Sequence, residues 1–95
     1  MPPPRRVSWR QQAVGDMAAI SRYVAAHSPI SAHRLLDQIV DQVELLATYP
    51  LLGKIGLSPG TRELVVHKHY RVIYRALPTA ISILRVKHVA KKRPP

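Results

Sequence analysis

The chain has 95 residues and a mass of 10.7 kDa, with 46% hydrophobic and 21% charged residues, a balance that suits one globular domain spanning 1–95 and excludes a disordered or two-domain chain. It holds no cysteine, which excludes disulfides, thiolate metal sites and cysteine nucleophiles. The net charge is +10, and nine of the fifteen Lys and Arg follow residue 60, where Glu63 is the sole acid; a polyanion or an acidic protein surface is the partner this favours.

Met1-Pro2-Pro3-Pro4-Arg5-Arg6 is followed by no apolar signal segment, and no apolar run approaches a membrane span, so a cytoplasmic protein with no membrane partner is expected. Residues 1–5 should be a flexible lead-in, because proline supplies no backbone donor. Val7-Ser8-Trp9 reads as a short first strand. From Gln12 to about Ala26 the apolar residues Ala13, Met17, Ile20 and Val24 recur at spacings of 4, 3 and 4, one stripe of an α-helix with Arg22 off it. Ser28-Pro29 combines a capping side chain with a residue suited to the first helical position. A second helix follows, with Ala32, Leu36, Ile39, Val43 and Leu46 on its stripe and Asp37, Asp41 and Glu44 on its solvated side. Pro50 ends this hairpin.

Residues 51–60 contain three glycines and a proline and read as a loop with turns. Arg62–Val66, Tyr70–Leu77 and Ile81–His88 are rich in Val, Ile, Leu and Tyr and form an antiparallel meander with turns at His67-Lys68-His69 and Pro78-Thr79-Ala80. In the middle strand Tyr70, Val72, Tyr74 and Ala76 share the face packed on the helices, leaving Arg71, Ile73, Arg75 and Leu77 on the open one. The fold class is α+β, in the order β-α-α-β-β-β, with the helical hairpin on one face of a small, largely antiparallel sheet. Residues 89–95 should be a flexible basic tail.

Arg62, Arg71, Arg75 and Arg85 on adjoining strands make a cationic face, which either contacts a target or simply keeps the sheet soluble. His67 and His69 alternate in the manner of metal ligands, but with no Cys and no nearby carboxylate except Glu63 they complete no site, and turn histidines are the better account; neither a metal nor a cofactor is expected. Trp9 suits a partner anchor or a core position under the helices equally well. His27 and His33 flank the interhelical break and cover helix ends.

The element order, with Gly60-Thr61-Arg62-Glu63-Leu64-Val65-Val66, Tyr70-Arg71-Val72-Ile73-Tyr74-Arg75 and Ile83-Leu84-Arg85-Val86-Lys87-His88, resembles the RelE/ParE superfamily of type II toxin–antitoxin toxins. Ile20-Ser21-Arg22-Tyr23-Val24-Ala25 and Tyr49-Pro50-Leu51-Leu52-Gly53-Lys54-Ile55-Gly56 resemble its ParE side. The resemblance covers nearly the whole chain and implies a plasmid-stabilization or chromosomal toxin that causes growth arrest and is neutralised by a cognate antitoxin, ParD-like or RelB-like. It implies one of two activities: ParE-like inhibition of DNA gyrase, or RelE-like cleavage of mRNA on the ribosome.

Cleavage through the ribose 2′-hydroxyl needs a base, cations on the phosphate and an acid for the leaving oxygen. By resemblance Arg62, Arg71 and Lys91 would hold the phosphate, with His88 as substitute proton donor. Leu64 stands where the RelE pattern has lysine, and that pattern's C-terminal tyrosine would lie beyond Pro95. The expectation is therefore a non-hydrolytic gyrase inhibitor with no catalytic residues, the ribonuclease being the alternative and a plain nucleic-acid-binding module a third reading. Target-binding residues are expected among Arg62, Arg71, Arg75, Arg85, Lys87, Lys91, Lys92 and Arg93, since the family's C-terminal segment is implicated in toxicity. The antitoxin is expected on the helical hairpin and sheet edge, at Met17, Ile20, Val24, Leu36, Ile39 and Val43.

Overall fold

The computed structural model describes residues 3–89; Lys91, Lys92 and Arg93, expected in the target-binding set, lie outside the described residues. The elements are β1 (Arg6–Trp9), α1 (Gln11–Ala25), α2 (Pro29–Glu44), one 3-10 turn (Leu45–Ala47), β2 (Lys54–Ile55), β3 (Arg62–His67), β4 (Tyr70–Ala76) and β5 (Ala80–His88). They form an α+β fold in which a five-stranded sheet of order β1-β5-β4-β3-β2 carries both helices on one face. The meander β3-β4-β5 is antiparallel as expected. Two strands complete it: β1 pairs parallel to β5, with Arg6 opposite Ala80 and Trp9 opposite Ile83, and the two-residue β2 pairs antiparallel to β3 from within the glycine-rich loop.

The helices form where the apolar spacing places them. Ser28 caps α2, its hydroxyl accepting from the Ser31 amide at 3.1 Å, and Pro29 occupies the first helical position, where its missing N–H removes no helical bond. Ala13 on α1 and Leu35, Ile39, Val43 and Leu46 beyond it are buried against Tyr70, Val72, Tyr74, Ile81, Ile83 and Val86 of the sheet. At about 1.5–3 kcal/mol for each large apolar side chain, this single layer supplies the main drive for folding. Leu35 is buried in this core while Leu36, expected on the stripe, is half-buried and outside it, because the face of α2 turned to the sheet runs through Leu35.

Two features of the lead-in and loop differ from expectation. Arg5 is tied down, its amide donating to Ala47 O at 2.9 Å and its Nε to Leu77 O at 2.7 Å. Tyr74, fully buried, donates its hydroxyl to Pro50 O at 2.8 Å and accepts from the Gly53 amide at 2.9 Å, fixing the loop to the core. Only glycine fits at 53, since a Cβ there would stand 2.7 Å from Glu63 O and 2.8 Å from Tyr74 Cε1. Among the described residues no helix is long and apolar enough to cross a membrane.

Candidate functional site

Strand alternation divides the chemistry between two faces. On β4 the inward residues Tyr70, Val72 and Tyr74 are buried and the outward Arg71, Ile73 and Arg75 border the open face. Their partners on β5 continue it: Arg71 lies opposite Lys87, Ile73 opposite Arg85 and Arg75 opposite Ser82. An extra residue, Leu84, interrupts the β4–β5 register between Ile73 and Tyr74, a bulge that keeps Ile83 and Val86 inward while turning Arg85 out.

Arg62 does not join this face. It pairs with Tyr74 and therefore stands on the helix side, where its Nη1 donates to Gly53 O at 2.7 Å. Arg71 is on the open face but not free, since its Nη1 donates to Glu63 Oε1 at 2.6 Å with both side chains largely buried; its buried Nε has no partner among the described residues. Arg85 donates Nε and Nη2 to the two carboxylate oxygens of Asp16 at 2.8 and 3.0 Å, and Asp16 also accepts from the Val86 amide at 2.9 Å. Asp16 thus occupies the edge of β5 just past the end of β1, taking the place of a neighbouring strand. Burial by itself would raise its carboxyl, but the bonds from Arg85 and Val86 and the nearby charges of Arg85 and Lys87 outweigh this and hold it below its ordinary value. The same pair raises the Arg85 guanidinium.

The cations left available on the open face border one hollow between the start of α1 and the sheet, lined by Arg10, Gln12, Ser58, Thr61, Ile73, Arg75, Leu84, Arg85 and Lys87. Among the described residues Arg75 touches only a neutral acceptor there, Pro59 O at 3.2 Å.

The second surface is a groove on the helix side, between α1 and the β5 edge, lined by Asp16, Ala19, Ile20, Tyr23, Tyr70, Val86 and His88. It continues past Val24 and Leu35 to His67 and His69. His88 packs edge-on against Tyr70 at 5.0 Å and stacks on His69 at 5.6 Å. Burial, then the charges of His69 and Lys68, lower the pKa of His67. No group of three or more metal-ligating side chains occurs among the described residues.

Of the residues expected to meet an antitoxin, Ile20 and Val24 line this groove, Met17 and Leu36 are half-buried, and Ile39 and Val43 have no exposed surface. The last two are core: the helix stripe that identifies them marks what the protein buries in itself. Sequence reasoning missed Tyr23, 61% exposed on α1, whose signal is an aromatic one turn from Ile20 and off the core stripe. It also missed Arg10 and Gln12, which only the fold brings beside the last strand.

The model of the ParE toxin of the type II toxin–antitoxin system parDE matches residues 7–93. Toxin RelE2 of Caulobacter vibrioides is 31% identical over 86 residues, covering 90% of this chain and 97% of that protein. Among solved structures, a chain of the chromosomal ParDE toxin–antitoxin system of P. aeruginosa superposes with a TM-score of 0.79 at 28% identity, covering 90% of this chain and 96% of that one. A chain of the RelBE2 toxin–antitoxin complex of Mycobacterium tuberculosis has a TM-score of 0.62 at 24% identity over 90% of this chain and 98% of that one, a likeness of fold.

Proposed function

The chain belongs to the ParE toxin family of type II toxin–antitoxin systems, and on that premise we propose that it arrests growth by binding DNA gyrase and stalling it with DNA cleaved, without hydrolysing anything itself. The observation that carries this reading is the failure of Arg62, Arg71 and His88, the described members of the ribonuclease set, to converge. Arg62 and His88 stand on the helix side of the sheet, near opposite ends of β4, whereas Arg71 stands on the other side with its charge engaged by Glu63. A phosphate held by Arg71 is therefore out of reach of His88, and in-line attack needs both within hydrogen-bond distance of one phosphodiester.

The cognate antitoxin docks in the groove between α1 and β5. Ile20, Tyr23, Val24 and Tyr70 offer apolar surface for an amphipathic helix. Its acidic residues meet a chain of net charge +10, which speeds encounter. The proposed toxic surface is the opposite, open face together with the basic C-terminal residues.

The test is a supercoiling and cleavage assay with purified gyrase, with and without ATP. Covalently trapped, linearised DNA is the expected result; intact supercoiling by gyrase in the presence of folded toxin refutes it. The relative named RelE2 favours the ribosome as the second target to assay, and there Arg71→Ala should abolish mRNA cleavage if that alternative holds.

A further inference from the structure

We propose that the hollow between the start of α1 and the β4–β5 strands is a phosphate-binding site that seats the sugar–phosphate backbone of duplex DNA. It deepens the gyrase reading by giving the toxin a direct hold on the DNA of that complex, and it rests on that reading only for where the DNA is met.

The argument is one of charge and isolation. Arg10 at the β1–α1 junction, Arg75 on β4, and Arg85 and Lys87 on β5 border one hollow. No carboxylate lines it; Asp16 reaches it only by pairing with Arg85 from the far side of the strand. Arg10 and Lys87 make no side-chain hydrogen bond or ion pair among the described residues, and Arg75 touches a neutral carbonyl. Like charges brought together on a small domain repel, and Asp16, which pairs with Arg85 and feels the charge of Lys87, offsets only part of that repulsion, leaving the rest to be recovered by an anion. Gln12 adds a neutral amide donor suited to phosphate oxygens.

The start of α1 strengthens the same field. Arg10 stands at the N-cap without a side-chain capping bond, and the first turn holds no acid, so the positive end of a 15-residue helix borders the hollow unneutralised. Arg10, Arg75 and Lys87 present separate cations, none paired with a carboxylate among the described residues, around an open hollow, an arrangement that suits a phosphate backbone. The hollow is open rather than enclosed and most of its charge is cationic, so sequence-independent backbone contact is the chemistry that fits.

The test is fluorescence anisotropy of the full chain with a labelled DNA duplex over a range of salt, without gyrase. Each phosphate contact contributes about 0.9 to the slope of log affinity against log salt, so Arg10→Ala and Lys87→Ala should each lower that slope by about 0.9, while Arg34→Ala on α2 leaves it unchanged. Gln12→Glu supplies the decisive second variant. A carboxylate in the first helical turn raises the melting temperature through the helix dipole and, placed in the hollow, weakens DNA binding several-fold. Stability and binding moving in opposite directions is a result no merely structural role gives. Unchanged slopes in both alanine variants, or equal binding by Gln12→Glu, would overturn the proposal. So would binding to single-stranded RNA or to an acidic peptide but not to the duplex. Gyrase trapping by a toxin that binds no duplex would leave the functional reading standing and remove this site alone.

Discussion

Replacing Asp16 by alanine removes three hydrogen bonds at once, two from Arg85 and one from the Val86 amide. Bonds to a charged group contribute about 1.5–3 kcal/mol each, and breaking a fully buried ion pair costs about 3–5. The Arg85 side chain is 38% exposed against 17% for Asp16, so water recovers part of the guanidinium's solvation and the loss falls to about 2–3 kcal/mol. For a domain of this size that lowers the melting temperature by roughly 10–20 °C. Asp16→Asn should lose less, because its carbonyl oxygen can still accept from Val86. The pH dependence has a definite sign. The folded carboxyl sits below its ordinary value of 3.8, because the bonds from Arg85 and Val86 overcome the opposing effect of burial; the unfolded chain binds that proton more readily. The contribution is therefore complete above the ordinary carboxylate range and disappears as pH falls through the lower, folded value. Thermal unfolding followed by circular dichroism should show the parent well above Asp16→Ala at pH 7, with the gap closing below about pH 4. A gap under about 2 °C at neutral pH, or one that persists unchanged into acid, would refute the account of Asp16 as the charged clasp of the β5 edge.

Tyr74→Phe keeps the ring but leaves the Gly53 amide and the Pro50 carbonyl without their partner, and should lower stability by about 2 kcal/mol in a urea titration. Gly53→Ala should be worse, since its Cβ meets a backbone oxygen at 2.7 Å and the Tyr74 ring at 2.8 Å, and the loop must move. Glu63→Gln leaves the largely buried Arg71 guanidinium without a counter-charge; a cost of about 3 kcal/mol is expected by the same titration. A stop codon after Val89 should end growth arrest while antitoxin binding, measured by calorimetry, stays within a few-fold of the full chain.

The helices were legible because their signals are local: the 4-3-4 spacing of Ala13, Met17, Ile20 and Val24 needs no knowledge of the partner surface, and Ser28-Pro29 marks a restart by its own chemistry. The two-faced reading of β4 was equally local. What failed depends on pairing. Arg62 was grouped with the other strand arginines, but its register opposite Tyr74 turns it to the helix side, and a shift of one residue is all that separates the two outcomes. β2 escaped notice because two residues bonded to β3 carry no periodicity, and the parallel placement of β1 because no short-range feature names a partner more than seventy residues away. The antitoxin surface was blurred for a related reason: apolar spacing reports burial, and cannot say whether Ile39 is covered by the protein's own sheet or by another chain.

The parallel contact of β1 with β5 has a temporal meaning. Arg6 meets Ala80 and Trp9 meets Ile83, so the first strand to leave the ribosome waits for the last before its backbone groups are paired. Ile81, Ile83 and Val86, which close the core, arrive with that same final strand. Contacts of such long sequence separation form slowly, because loop closure must precede the gain from pairing. A nascent chain that stops short of residue 80 lacks both the strand that joins β1 to the meander and a wall of the proposed antitoxin groove, so the five-stranded sheet and that surface come into being in the same step.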